Sequence, residues 1–446
     1  MVRQKRPASM QTPTSPIIRW PAIGAALALI FMGLAACQSG SDISSPPTEV
    51  AETVTPLALT LPTQIVEPTP ASAGEIKIWL DWEPEEVDAL LEIIQSFGSE
   101  NPTVNFSLSY YPTDELLNAF EEASRSGTPP TILLGPSLWG PRLSEGDLVM
   151  DPVSMVNADL ERRIHPTAWT QVAYKNHMVG LPLEFMGVVL FRNRLLADGA
   201  PRTVEVWIEE GIRQRKEEGT EVLLDFGSDF SAPQISVCGG SFLGPEANIT
   251  LELPEGTCWL EVMAELRAIG PAVMNSEDDL LRFLSGDSAW LVEESSRISE
   301  FAHAMGVTNL KVDPWPLYEP VDRPLQSLVW TENIYFSSGI PAKDLEVTWS
   351  FVEHLFSAES QARLSDFQGA AHIPVDTTVD IIDSNMVEMA SMLRAGVPIP
   401  LLMDPEKYTA LIEDAVDAVV FQGVEPAVAA QILIEQLQQI PTTGEE

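Results

Sequence analysis

The chain has 446 residues, 45% of them apolar, and carries 65 acidic side chains against 25 basic ones, a formal net charge of −40. Such a balance repels polyanions, which argues against nucleic acid and anionic membrane surfaces as electrostatic partners and against ligands such as polyuronates. It leaves neutral and cationic solutes open, and it suits a strongly solvated surface in a salty or acidic medium equally well.

The N-terminus departs from that balance. Arg3, Lys5, Arg6 and Arg19 precede or flank an apolar or small run, Trp20 to Ala36, with no acidic residue among them; basic flank, apolar core and small residues before a cut site are the layout of a secretion signal. The run is short for a membrane-crossing helix, which needs about 20 apolar residues, although an uncleaved anchor is the alternative. Leu34-Ala35-Ala36-Cys37 resembles the lipobox of bacterial lipoproteins, and the resemblance implies that residues 1–36 are a signal peptide and that Cys37 carries a lipid into the bilayer. Residues 37–74 follow with six prolines, four acidic residues and no basic one, a composition that stays extended and reads as a tether. With Cys37 lipidated, Cys238 and Cys258 remain. Outside the cytoplasm they can pair as a disulfide; two separate buried thiols are the alternative, and neither has a His or Cys neighbour that would make a metal site.

The body from Glu75 onward, roughly 370 residues, exceeds what one core usually fills, so two domains are expected. In EIKIWLDW, Ile76, Ile78 and Leu80 alternate as a strand. Pro84 then opens a helix with Val87, Leu90, Leu91, Ile94 and Phe97 on one face, ended by Gly98. Val104, Phe106, Leu108 and Tyr110 alternate as a second strand; Thr113 is placed to cap a helix bearing Leu116, Leu117 and Phe120; Thr131 to Leu134 form a third strand. Strand and helix in alternation mean a parallel sheet with helices on its faces, and such sheets take ligands at the strands' carboxyl ends. Those ends are the loops Asp81 to Pro84, Tyr111 to Thr113 and Gly135 to Trp139. Further on, HMVGLPLEFMGVVLFRNRLL reads as a turn and a long apolar strand, Ser276 and Asp279 as a capping box for a helix ending near Gly286, and SAWLV as a strand. Helices are expected over roughly Leu345 to Ser357, Pro405 to Val420 and Pro426 to Leu437.

Several stretches, in order, resemble extracellular solute-binding proteins of ABC importers, of the carbohydrate-type family that includes maltodextrin-binding protein. They are IKIWLDWEPEEVDALLEIIQSFGSENPTVNFSLSYYP, DELLNAFEEASRSGTPPTILLGPSLWGPRLSEGDLVMDP, NHMVGLPLEFMGVVLFRNRLL, LLRFLSGDSAWLVEES and WSFVEHLFSAESQARLSDFQGAAHIPV. The resemblance implies a two-lobed α/β fold of the periplasmic-binding-protein type, each lobe a mostly parallel sheet flanked by helices, joined by hinge crossovers. It puts residues 75–183 and 303–356 in one lobe and 184–302 and 357–446 in the other. It implies no cofactor, and as partners a small solute of the carbohydrate class and the membrane permease subunits of an importer. The ligand contacts it carries over are Trp82 and Glu83 after the first strand, Tyr111 after the second, Trp139 in GPSLWG, Glu184 at the hinge crossing, Phe242 and Glu293 in the second lobe, and Trp330 and Asn333 in a late first-lobe strand. Glu293-Glu294 stands where the family commonly has Gly-Pro-Trp.

Those residue types suit a pyranose, whose apolar faces lie against aromatic rings and whose hydroxyls donate to carboxylates and amides. Each also has a plainer use: Glu83 complements the N-terminus of a helix, and the tryptophans can fill cores. The five histidines show no metal-ligand spacing, and no GxSxG or GxGxxG pattern occurs. A carboxylate pair for glycoside hydrolysis is defined in space rather than in sequence, so a surface glycosidase stands as an alternative, beside a binding protein for a cationic solute.

Overall fold

The structure, a computed structural model, describes residues 74–440 apart from 218, 245–247, 271–272 and 277. The signal segment, Cys37 and nearly all of the tether lie outside the described residues.

The first strand, β1 (Gly74–Leu80), buries Ile76, Ile78 and Leu80 and turns Glu75 and Lys77 outward, as its alternation requires. It runs parallel to β2 (Val104–Tyr110) on one side and to β3 (Ile132–Pro136) on the other, the arrangement expected from alternating strands and helices. Helix α1 (Pro84–Glu100) joins β1 to β2, and α2 (Thr113–Ser126) joins β2 to β3. One boundary of each of these two helices differs from expectation. Helix α1 continues through Gly98, because Asn101 closes it: its backbone and side-chain N–H groups both donate to the Phe97 carbonyl, each at 3.0 Å. Thr113 is the first helical residue rather than the cap, which is Pro112.

The remaining sheet strands are β4 (Leu181–Asn193), β5 (Glu221–Leu223), β6 (Ser288–Glu294), β7 (Leu310–Asp313), β8 (Leu328–Phe336), β9 (Ile373–Pro374) and β10 (Val397–Pro398). Together the ten strands make one sheet with the path β2-β1-β3-β8-β4-β6-β5, while β7 and β9 pair with β4 and β10 with β8. Pairing is parallel at both ends of that path and antiparallel in its middle, where β8 meets β3 and β4, and β4 meets β6.

Strand β4 organises the molecule. Its first half, Leu181 to Gly187, pairs with β8; its second half, Val188 to Asn193, pairs with β6 and β7. A thirteen-residue strand enclosed by neighbours along both halves should be apolar throughout, and all but Met186 are buried. Gly187 sits at the switch, where an added Cβ would lie 2.3 Å from the Leu328 carbonyl oxygen. Outside the sheet, α3 (Ala342–Leu355) packs on β1, and α4 (Ser384–Ala395) on β4. The helix Leu253–Leu266 packs against Pro426–Leu437. A disulfide joins Cys238 to Cys258 within that helix.

Candidate functional site

At the carboxyl end of β1 the chain passes through Asp81, Trp82 and Glu83 into α1. Trp82 is 5% exposed. Its indole Nε1 donates to Glu332 Oε1 at 3.1 Å, and its ring meets His372 edge-on, 4.8 Å between centroids. Glu332 is a buried acid in the middle of β8, opposite Glu184 of β4 in the antiparallel register. The register slips between Glu332 and Asn333; a bulge of this kind re-aims side chains next to functional sites. His372, just before β9, is 3% exposed, with Nε2 3.0 Å from Glu86 Oε1 and Nδ1 3.5 Å from Glu184 Oε2.

Four acids from α1, β4, β8 and the β1–α1 turn therefore surround one indole and one imidazole. Among the described residues no Lys or Arg forms an ion pair with Asp81, Glu86, Glu184 or Glu332; His372 alone does. Burial away from water disfavours the charged form of a carboxyl. It pushes Glu184 up to about 7 against the opposing attraction of His372. Glu332 is raised well above the usual range by burial, with Asp81 and Glu184 adding to the effect. Asp81 is raised by burial too, although a hydrogen bond with Thr113 works the other way. Burial pulls His372 down, but Glu184 and Glu86 outweigh it and leave the imidazole above its ordinary value.

A second acidic group stands at the carboxyl ends of β5 and β6. Asp225 is pushed up to about 6 by burial, with Asp279 and Glu293 adding to it; Glu294 is raised by burial and by Glu293. Glu294 pairs with Val188, next to the β4 switch, and Ser295 Oγ accepts from the Gly187 N–H at 3.2 Å. A void of about 10 Å³ is lined by both sides of that switch: Glu86, Glu184 and His372 from one, Ser295 and Ser296 from the other. A larger recess, about 460 Å³, opens at the far end of β4 beside 195–201, and none of the expected contacts lines it.

The expected contacts thus separate. Trp82 and Glu184 lie in the acidic floor, and Trp330, 9% exposed and opposite Met186, stands two residues before Glu332 on β8. Glu293, half-buried, is the last but one residue of β6. Glu83 is exposed at the start of α1 and its N–H donates to Glu86 Oε2 at 2.7 Å. Tyr111 packs on Trp79, 4.6 Å between centroids; Trp139, half-buried, folds its ring over Gly135. Two of the residues have other work. Phe242 lies in the core, perpendicular to Trp259 at 5.0 Å. Asn333, fully buried, accepts from Thr331 and donates to the Gln171 carbonyl and the Tyr335 hydroxyl. Sequence reasoning missed Glu86, Glu332 and His372. For Glu332 the signal was present, a lone charge inside the apolar run LVWTENIYF.

The sequence profile described as "Bacterial extracellular solute-binding protein" matches residues 92–394. The chain belongs to that family. Membership places its folded body outside the cytoplasm, in a family of binding proteins. No curated protein matches the sequence. Among solved structures, it is similar to a cyclo/maltodextrin-binding protein complexed with maltotetraose (TM-score 0.72, 16% identity, covering 85% of this chain and 100% of that one). It is also similar to the cyclic alpha-maltosyl-1,6-maltose binding protein of Arthrobacter globiformis (0.70, 14%, 81% and 97%). The maltose/maltodextrin-binding domain of Bdellovibrio bacteriovorus bound to maltotriose matches likewise (0.65, 19%, 82% and 99%). At these identities the likeness establishes the fold, the two-lobed α/β architecture of periplasmic binding proteins.

Proposed function

We propose that this solute-binding protein captures a sugar or oligosaccharide between two lobes and delivers it to the permease of an ABC importer, without turning it over. The observation that carries the reading is the floor itself: an indole at the carboxyl end of β1 gathered with buried carboxyls of β4 and β8, on and beside the strand shared by two pairing sets. Carboxyl groups exchange hydrogen bonds with sugar hydroxyls, and the rings supply apolar contact. Strand pairing supports lobes divided at the Gly187/Val188 switch, with β1, β2, β3 and β8 in one and β5, β6 and β7 in the other. That division moves 310–313 into the second lobe and shifts the crossing from 183/184. A solute touching both lobes stabilises the closed arrangement more than the open one, and this difference in affinity is what drives closure. Maltodextrins are the first solutes to try, because the similar structures bind them. Cys37, in this reading, holds the chain on the outer face of the membrane through its lipid.

A thermal-shift screen of the full chain in detergent and EDTA, against maltose, maltotriose, maltotetraose, neutral monosaccharides and spermidine, tests the proposal. A sugar is expected to raise the midpoint, to be recovered unhydrolysed, and to lose its effect in Trp330→Ala. Stabilisation by spermidine and by no sugar would overturn the carbohydrate assignment; recovery of hydrolysis products would favour a glycosidase. Cys37→Ser is expected to move the protein from the detergent phase to the aqueous phase on partitioning.

A further inference from the structure

We propose that His372 and Glu184 hold a divalent cation of the zinc class in the floor, with Glu86 orienting the imidazole from its other side. The geometry begins with the tautomer. Glu86 Oε2 already accepts the Glu83 N–H at 2.7 Å, and Oε1 faces His372 Nε2 at 3.0 Å. In the tautomer that donates from Nε2 to Glu86, the ring's lone pair lies on Nδ1. Nδ1 has no hydrogen-bond partner although His372 is 3% exposed. It looks instead toward Glu184 Oε2 at 3.5 Å. A buried imidazole nitrogen with no hydrogen-bond partner, 3.5 Å from a buried carboxyl oxygen, forms with it a pair of ligand atoms that a cation can bridge in place of a proton.

The spacing fits a metal. Bonds of about 2.0–2.2 Å from zinc to nitrogen and oxygen, opened to the tetrahedral angle, set the two ligand atoms about 3.4 Å apart. A carboxylate on the far ring nitrogen is the usual companion of a metal-bound histidine. Ligand atoms of Glu86, Glu184 and His372 all lie within 4.8 Å of one another, and these residues line the void of about 10 Å³. Backbone geometry holds the imidazole in place. Ala371, immediately before His372, has φ 54°, a conformation disfavoured for a residue with a Cβ. The bonds from Ala371 N–H to Asp366 and from His372 N–H to Leu364 maintain it. Imidazole favours zinc over calcium or magnesium as the occupant.

The test is calorimetric titration of the full chain, stripped with EDTA and dialysed, with zinc chloride and separately with calcium chloride. One saturable zinc site per chain is expected, with calcium at least tenfold weaker. Glu184→Gln should weaken zinc binding more than tenfold. Glu86→Gln, at a partly exposed position, should do so by about tenfold while circular dichroism and the thermal midpoint without metal show a folded chain. Cobalt(II) should give the visible absorption of a four-coordinate site in the wild type and lose it in Glu184→Gln. Absence of a saturable zinc site, or a zinc affinity untouched by both substitutions, overturns the proposal. Because the sugar screen is run in EDTA, its failure and the failure of cation binding are read separately.

Discussion

Trp82 shows how one side chain can hold a group of acids together. Its indole N–H is the hydrogen bond that reaches Glu332 Oε1 inside the floor, and the carboxyl it satisfies lies opposite Glu184 with Asp81 close by. Removing a donor from a buried acceptor costs the acceptor's desolvation, about 1–3 kcal/mol. Trp82→Phe, which keeps most of the ring, is therefore expected to lower the unfolding free energy by about 2 kcal/mol. Glu332→Gln keeps an acceptor for the indole and replaces a carboxyl that burial already drives toward its neutral form, so it should change stability by less than about 1 kcal/mol in either direction. Urea unfolding of both variants decides. Equal losses would mean that the indole's packing against His372, and not its hydrogen bond, is what matters.

At the scale of elements, the turn after β5 carries a pH dependence whose sign can be worked out. Asp225 accepts from the Ser276 N–H at 3.0 Å, but burial and the neighbouring acids Asp279 and Glu293 still push it up to about 6. A carboxyl raised above its unfolded value near 3.8 binds its proton more tightly in the folded chain. Unfolding free energy from this group therefore falls as pH rises from about 4 to about 6 and is level above. Asp225→Asn keeps the acceptor and should flatten that fall, with a gain of about 1 kcal/mol at pH 7 after allowance for solvent screening. Thermal midpoints of the two proteins from pH 4 to pH 8 should diverge as pH rises; parallel curves would refute the assignment. The elements themselves were largely legible. Period-two alternation located β1 and β2, and Pro84, Pro405 and Pro426 marked helix starts that the structure shares. What local pattern could not carry was partnership. Nothing in LKVD says that it pairs with the end of β4, and Glu86 and His372, hydrogen-bonded to each other, are 286 residues apart in the chain. The resemblance to a family supplied loop positions but not which side chains face a cleft, so Phe242 and Asn333 were assigned to a ligand and are found in packing. Cys238 and Cys258, left open between a bond and two thiols, are joined.

For the whole molecule the decisive position is Gly187. There β4 stops pairing with β8 and starts pairing with β6, which makes it the hinge crossing that the proposed lobe division calls for. The backbones approach closely at that point: a Cβ would sit 2.3 Å from the Leu328 carbonyl oxygen and 2.7 Å from Leu393 Cδ2. The first of these atoms is main chain and cannot turn aside, so Gly187→Ala must separate β4 from β8. Overpacking of this kind typically costs about 1–3 kcal/mol. Gly98 makes the matched control. It lies inside α1 with nothing within 4 Å of its would-be Cβ, so Gly98→Ala should gain about 0.5–1 kcal/mol from helix propensity alone. Opposite signs in urea unfolding would tie the sensitivity of residue 187 to its place between the two pairing sets. If both substitutions stabilised the chain, β4 would have room to spare at the switch, and the hinge would have to be sought at another crossing.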